Sequence, residues 1–138
     1  MEKEITKIFS MSIKDTKGIL LSLSKESASI YNKSKETFWN KLESDKVFLS
    51  AIDIQKEIYK QFNNNQLGSN SVIGTIQKFS DGVKSYFKSL KGYNKNPSKF
   101  SGKPNPPKED KIIYPIIFKD TSIRIKNNRV ILSLFIWL

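Results

Sequence analysis

Two neighbouring runs decide the fold: Ile112-Ile113-Tyr114-Pro115-Ile116-Ile117-Phe118, and Ser122-Ile123-Arg124-Ile125-Lys126-Asn127-Asn128-Arg129-Val130-Ile131-Leu132. Both are rich in β-branched residues, which favour strands. Asn tolerates positive φ, so Asn127-Asn128 between two alternating apolar runs reads as a two-residue hairpin turn. Pro115 cannot donate to a ladder and marks an edge or a bulge in the first run. Past the turn, Val130, Leu132, Leu134 and Ile136 face one way, and Ile131, Phe135 and Trp137 the other. A strand apolar on both faces has to be covered on both. With the sequence ending at Leu138, the expectation is a truncated domain that self-associates through residues 130–138.

Working back, Lys91–Lys111 carries six lysines and four of the five prolines without apolar periodicity, which reads as a basic, extended connector. Before it the period changes to that of helices. Val72, Ile76, Phe79, Val83, Phe87 and Leu90 make a clean stripe opened by Ser69 or Asn70, and Gly74 and Gly82 inside it suggest close backbone approach. Ser50 and Asp53 form a capping-box pattern ahead of Ala51, Ile54, Ile58 and Phe62, with Asn63, Asn64 and Asn65 as the stop. Asp15 or Thr16 caps a first helix with Leu20, Leu21, Leu23, Ala28, Tyr31, Phe38, Trp39 and Leu42 at helical spacing. Its serines at 22, 24, 27, 29 and 34 lower propensity, so tertiary packing must hold it. Glu4–Lys14 alternates Ile5, Phe9, Met11 and Ile13 with polar residues, as a half-buried strand does.

The order strand, three helices, strands predicts an α+β fold. The expected form is a small antiparallel β-barrel-like sheet, built from the N-terminal strand and the C-terminal strands and interrupted by a three-helix insertion. Residues 1–15 form the first strand in this reading, 16–90 the helical insertion, 91–111 the connector and 112–138 the last strands.

Composition narrows the chemistry. The net charge is +11, with 24 Lys plus Arg against 13 Asp plus Glu. Such an excess favours a polyanionic partner, because lysines that replace condensed counterions release them. An A/T-biased genome accounts for lysine in place of arginine but less well for the shortage of acids. The chain has no Cys and no His, which removes thiolate catalysis, a Ser-His-Asp triad and Cys/His zinc sites. Asp45, Asp53, Glu57 and Asp81 fall where capping and solvation explain them, and Asp120 stands alone, so neither a metal centre nor a cofactor is expected. No signal core and no spanning segment is present, and a cytoplasmic protein without membrane contact is expected.

The candidate binding residues are cations and one aromatic. Lys84, Lys88, Lys91, Lys95 and Lys99 recur about every four residues from helix into connector, with Lys103 beyond, and are the best phosphate contacts. Phe38 reads as core, whereas Trp39, on the neighbouring face with Tyr31 and Asn32 nearby, is a candidate for base stacking.

Three stretches together resemble the TnpB (OrfB) insertion-sequence family, related to type V CRISPR effectors. They are the opening strand and long helix with Ser27, Ile30, Tyr31, Asn32 and Trp39; the helix ending Val83-Lys84-Ser85-Tyr86-Phe87; and Asn96-Pro97-Ser98-Lys99-Phe100-Ser101-Gly102-Lys103-Pro104-Asn105-Pro106-Pro107-Lys108. The last is similar to the family's P-x-K-F-x-G-K-P-x-x-P-K connector, which precedes strands and an I-x-I-K-N-N hairpin. The resemblance implies the N-terminal part of an RNA-guided DNA endonuclease that holds a guide-type RNA and reads a short motif in target DNA. Cleavage would belong to a later RuvC-like domain, so the chain itself is expected not to be an enzyme. It also places Asn70, Ser71 and the Lys119–Ser122 segment at the DNA motif. Glu109 and Asp110 replace the aromatic that often follows the Pro-Lys step. Two other readings stand beside it: a small helical protein-interaction module, and a stand-alone DNA-binding regulator.

Overall fold

The computed structural model describes residue 8, residues 12–61 and residues 67–132. Three α-helices, α1 (Ile19–Asp45), α2 (Ala51–Gln61) and α3 (Ser69–Lys95), precede a hairpin of β1 (Ile123–Lys126) and β2 (Arg129–Leu132).

Local chemistry sets each start. Gly18 takes φ +68° at the head of α1, and the Asp15 carboxylate reaches over it to accept from the Leu21 N–H at 2.9 Å. At α2 the capping box closes reciprocally: the Ser50 N–H and O–H donate to Asp53 Oδ2 at 3.2 and 2.8 Å, and the Asp53 N–H donates to Ser50 Oγ at 3.2 Å. Gly68, one residue ahead of the expected Ser69 or Asn70, caps α3 with its carbonyl, which accepts from Ser71 and Val72. α3 also runs to Lys95 rather than stopping at Leu90, because nothing between Leu90 and Pro97 breaks a helix.

Leu23, Ile30 and Phe38 of α1, Ile54 and Ile58 of α2, and Val72, Ile76, Phe79 and Val83 of α3 form one core, with Leu67 and Tyr31 at its margin. Each such side chain contributes about 1.5–3 kcal/mol on burial. Ring contacts climb the two long helices together: Tyr31 and Phe38 meet Phe79, and Trp39 meets Tyr86 and Phe87. α1 and α3 therefore run in the same direction, and α2 packs against both. The small residues Ser27 and Thr75 are buried where the two approach, and Ser27 Oγ lies 3.2 Å from Thr75 Oγ1.

Among the described residues the barrel-like sheet is not formed. The sheet is a two-stranded antiparallel hairpin, not closed into a barrel. The run 112–118 is no strand: Pro115 interrupts its donors, and its backbone is satisfied by helix α1 instead. Ser24 Oγ donates to the Tyr114 carbonyl at 2.8 Å, the Tyr114 N–H to the Ser24 carbonyl at 3.1 Å, and Ser27 Oγ to the Pro115 carbonyl at 2.9 Å. The expected first strand falls mostly outside the described residues, and residues 12–15 are exposed and without regular structure. Phe62 to Asn65 and the last six positions of the expected C-terminal strand also lie outside them. The hairpin keeps its expected turn: Asn127 and Asn128 have φ of 51° and 59°, and Lys126 pairs with Arg129.

Residues 107–117 form a strap that descends α1 as the chain advances. Trp39 Nε1 donates to the Pro107 carbonyl at 3.2 Å, and Lys108 pairs with Glu43 at 2.8 Å. Lower down, Lys35 binds Asp110, and the Asn32 carboxamide holds both backbone groups of Lys111, at 2.7 and 2.8 Å. Ser24 and Ser27 then take Tyr114 and Pro115. The strap ends on α3, where a Cβ at Gly74 would stand 2.8 Å from Ile117 Cγ2. Gly74 thus marks the close approach expected of it, while Gly82 has nothing within 4 Å. Among the described residues, no helix is long and apolar enough to cross a membrane.

Candidate nucleic-acid interface

A helix repeats every 3.6 residues, so Lys84, Lys88, Lys91 and Lys95 fall at i, i+4, i+7 and i+11 on one face of α3. All four are exposed, as are Lys99 in the short 3-10 turn that follows and Lys103 beyond it. None of the six makes an ion pair among the described residues.

Most of the described acids lie off this face and have partners. Glu36 pairs with Lys33, Asp45 with Lys41, Glu57 with Lys60, Glu43 with Lys108 and Asp110 with Lys35. Lys108 holds the Glu43 carboxyl below its ordinary range, and Lys41 with Ser44 does the same for Asp45. Ser50 lowers Asp53, and Asp81 accepts from Gln77 at 2.9 Å. Like charges at i,i+4 cost a helix about 0.2–0.5 kcal/mol per pair, and the α3 face carries that repulsion uncompensated apart from the helix dipole near Lys95.

The other candidates separate into two groups. Trp39 is half-buried against Phe38, Tyr86 and Phe87, its N–H is given to Pro107, and Lys108 Nζ lies 4.7 Å over its ring. Its role here is to anchor the strap, and one face is unavailable to a base. Tyr31 and Asn32 serve the same end: Tyr31 stacks on Tyr114 at 4.6 Å, and burial disfavours the phenolate and raises the pKa of both phenols. Asn70 donates to Thr121 Oγ1 at 3.1 Å, tying the start of α3 to the base of the hairpin. Ser71 is only 6% exposed and does not face solvent, whereas Lys119 is exposed beside that joint.

No family model, curated protein or solved structure matches this chain. Among the described residues, no three acids gather to hold a metal ion. Of the residues that carry the TnpB resemblance, Trp39 meets Pro107 of the connector, Ser27 and Asn32 hold Pro115 and Lys111 beyond it, and Phe100 lies 3.2 Å from where a Cβ at Gly92 of α3 would stand.

Sequence reasoning overlooked Arg124, Lys126 and Arg129. Alternation puts Arg124 and Lys126 on the same side of β1, and the register across Asn127-Asn128 sets Arg129 opposite Lys126. The signal was present in the spacing of the cations on either side of the turn.

Proposed function

We propose that this chain is a nucleic-acid-binding module whose lysine face on α3 docks the phosphates of a structured RNA. The observation that carries this is the division of charge: among the described residues six cations of α3 and the connector stand without an ion-pair partner, while most acids are engaged by caps and by other lysines. The resemblance to TnpB-family proteins extends the reading to a guide-type RNA and a target DNA, with the chain supplying binding and a RuvC-like domain supplying cleavage.

The test is the salt dependence of RNA affinity for wild type and for Lys84→Gln/Lys88→Gln/Lys91→Gln/Lys95→Gln. Each lost phosphate contact lowers the slope of log affinity against log salt by about 0.7–0.9, so the variant slope is expected to fall by about 3. An unchanged slope makes the face a solvated one. Purification without co-eluting nucleic acid, together with no measurable RNA binding, would instead favour a protein-interaction module.

A further inference from the structure

The hairpin has two unlike faces. Ile123, Ile125, Val130 and Leu132 share one side, while Arg124, Lys126 and Arg129 share the other with Ile131. All three cations are exposed and form no ion pair among the described residues. They include the only two arginines of the sequence, whose planar forks suit phosphate. Asp120, the acid nearest in sequence, accepts from the Thr121 N–H at 2.8 Å. Lys126, Asn127, Arg129 and Ile131 border a shallow concavity of about 410 Å³ on this side.

The position of this face matters as much as its charge. Thr121, two residues before β1, is tied to Asn70 in the first turn of α3, whereas the lysine face occupies the far half of the same helix. At 1.5 Å per residue, Asn70 lies about 27 Å from Lys88 along the axis.

We infer that the basic side of the hairpin is a second phosphate-binding site, and that one nucleic acid bridges it and the α3 lysines across roughly 20–30 Å. The inference rests on the proposed function and adds a length requirement to it. At 3.4 Å per base pair, a DNA duplex shorter than about eight base pairs reaches one site only, and an A-form RNA duplex, with its smaller rise, needs a few more. A longer duplex gains the second contact without losing another body's freedom.

The experiment measures affinity for RNA and DNA duplexes of about 5, 10 and 20 base pairs, the two arms identifying which backbone geometry spans the sites. Wild type is expected to show a step between the short and the longer duplexes, at least about tenfold. Arg124→Gln/Lys126→Gln/Arg129→Gln should abolish the step and leave the shortest duplex within about twofold of wild type, and Arg124→Lys/Arg129→Lys should preserve it. Circular dichroism of the helices serves as the folding control. Loss of binding in the α3 variant, with no effect of the hairpin variant at any length, overturns this inference and leaves the α3 reading standing. No effect of either variant overturns both, as does binding that depends on the hairpin alone.

Discussion

Gly74 and Gly82 occupy the same helix, and only their surroundings separate them. Alanine gains about 1 kcal/mol over glycine in a helix interior. At Gly82 nothing opposes that gain, so Gly82→Ala should stabilise by about 0.5–1 kcal/mol. At Gly74 the new methyl meets Cγ2 and Cβ of Ile117, a β-branched side chain that cannot swing aside, and overpacking of this kind costs about 1–3 kcal/mol. Gly74→Ala is therefore expected to destabilise, and Gly74→Ala/Ile117→Ala to recover part of the loss; urea midpoints rank the three. Asn32→Ala removes an acceptor and a donor that the Lys111 backbone uses, and should cost about 1–3 kcal/mol, with a matching cost for Asn32→Asp. A close approach at Gly74 was legible in the sequence, but the partners of Asn32 and of the α1 serines were not: Asn32 stood only beside a stacking candidate, and the serines suggested only low propensity. Their partners lie some 80 residues away.

At the scale of elements, the sequence was informative where one local rule had no competitor. The Ser50–Asp53 box and the Asn127-Asn128 turn are each complete within four residues, and both appear as expected. The strap is the contrary case. Its isoleucines satisfy the pattern of a strand, but Pro115 and the side chains of α1 hold it as a packed, irregular segment. Stability is pH-dependent in both directions, through the strap and through the cap of α2. Glu43, lowered by Lys108, and Asp53, lowered by Ser50, contribute stability that is present above their ordinary values of 4.5 and 3.8 and is lost as pH falls through the depressed ones. Tyr31 and Tyr114, raised by burial, contribute stability that is complete below 10.0 and lost as pH rises through the raised values. Thermal melts should thus be level near neutrality and fall at both extremes. Tyrosinate absorbance should show two phenols ionising late, and one in Tyr114→Phe; five phenols titrating together would contradict the packing of the strap.

For the whole molecule, charge sets the terms. A net +11 on a chain of 138 residues repels itself, most along the second half of α3, where Lys84, Lys88, Lys91 and Lys95 succeed one another without acids. Added salt shortens the reach of that repulsion, so the melting temperature should rise between about 0.01 and 0.15 M ionic strength. The α3 quadruple glutamine variant should show a smaller rise, measurable by the same melts. A duplex long enough to bridge both basic faces should raise the melting temperature further than a short one at equal concentration of phosphate. The lysine periodicity was readable from the sequence, but its isolation from the acids was not, since that depends on where the strap carries Asp110 and Lys108.

The descent of the strap along α1 also orders events in time. Helical turns and the α1–α3 interface close over short and intermediate stretches of chain, whereas each strap contact joins residues separated by 65 to 90 positions. Loops of that span close late. On a ribosome adding residues one at a time, the helical body can assemble before Pro107 to Ile117 are free, and until then the indole N–H of Trp39 and the carboxamide of Asn32 face water. In refolding, far-ultraviolet helix signal should accordingly precede the change in Trp39 fluorescence, and Asn32→Ala should slow only the second event if strap docking limits it. During synthesis that interval leaves the aromatic groove of α1 open to whatever binds nascent chains, and the strap closes it only when its own residues arrive.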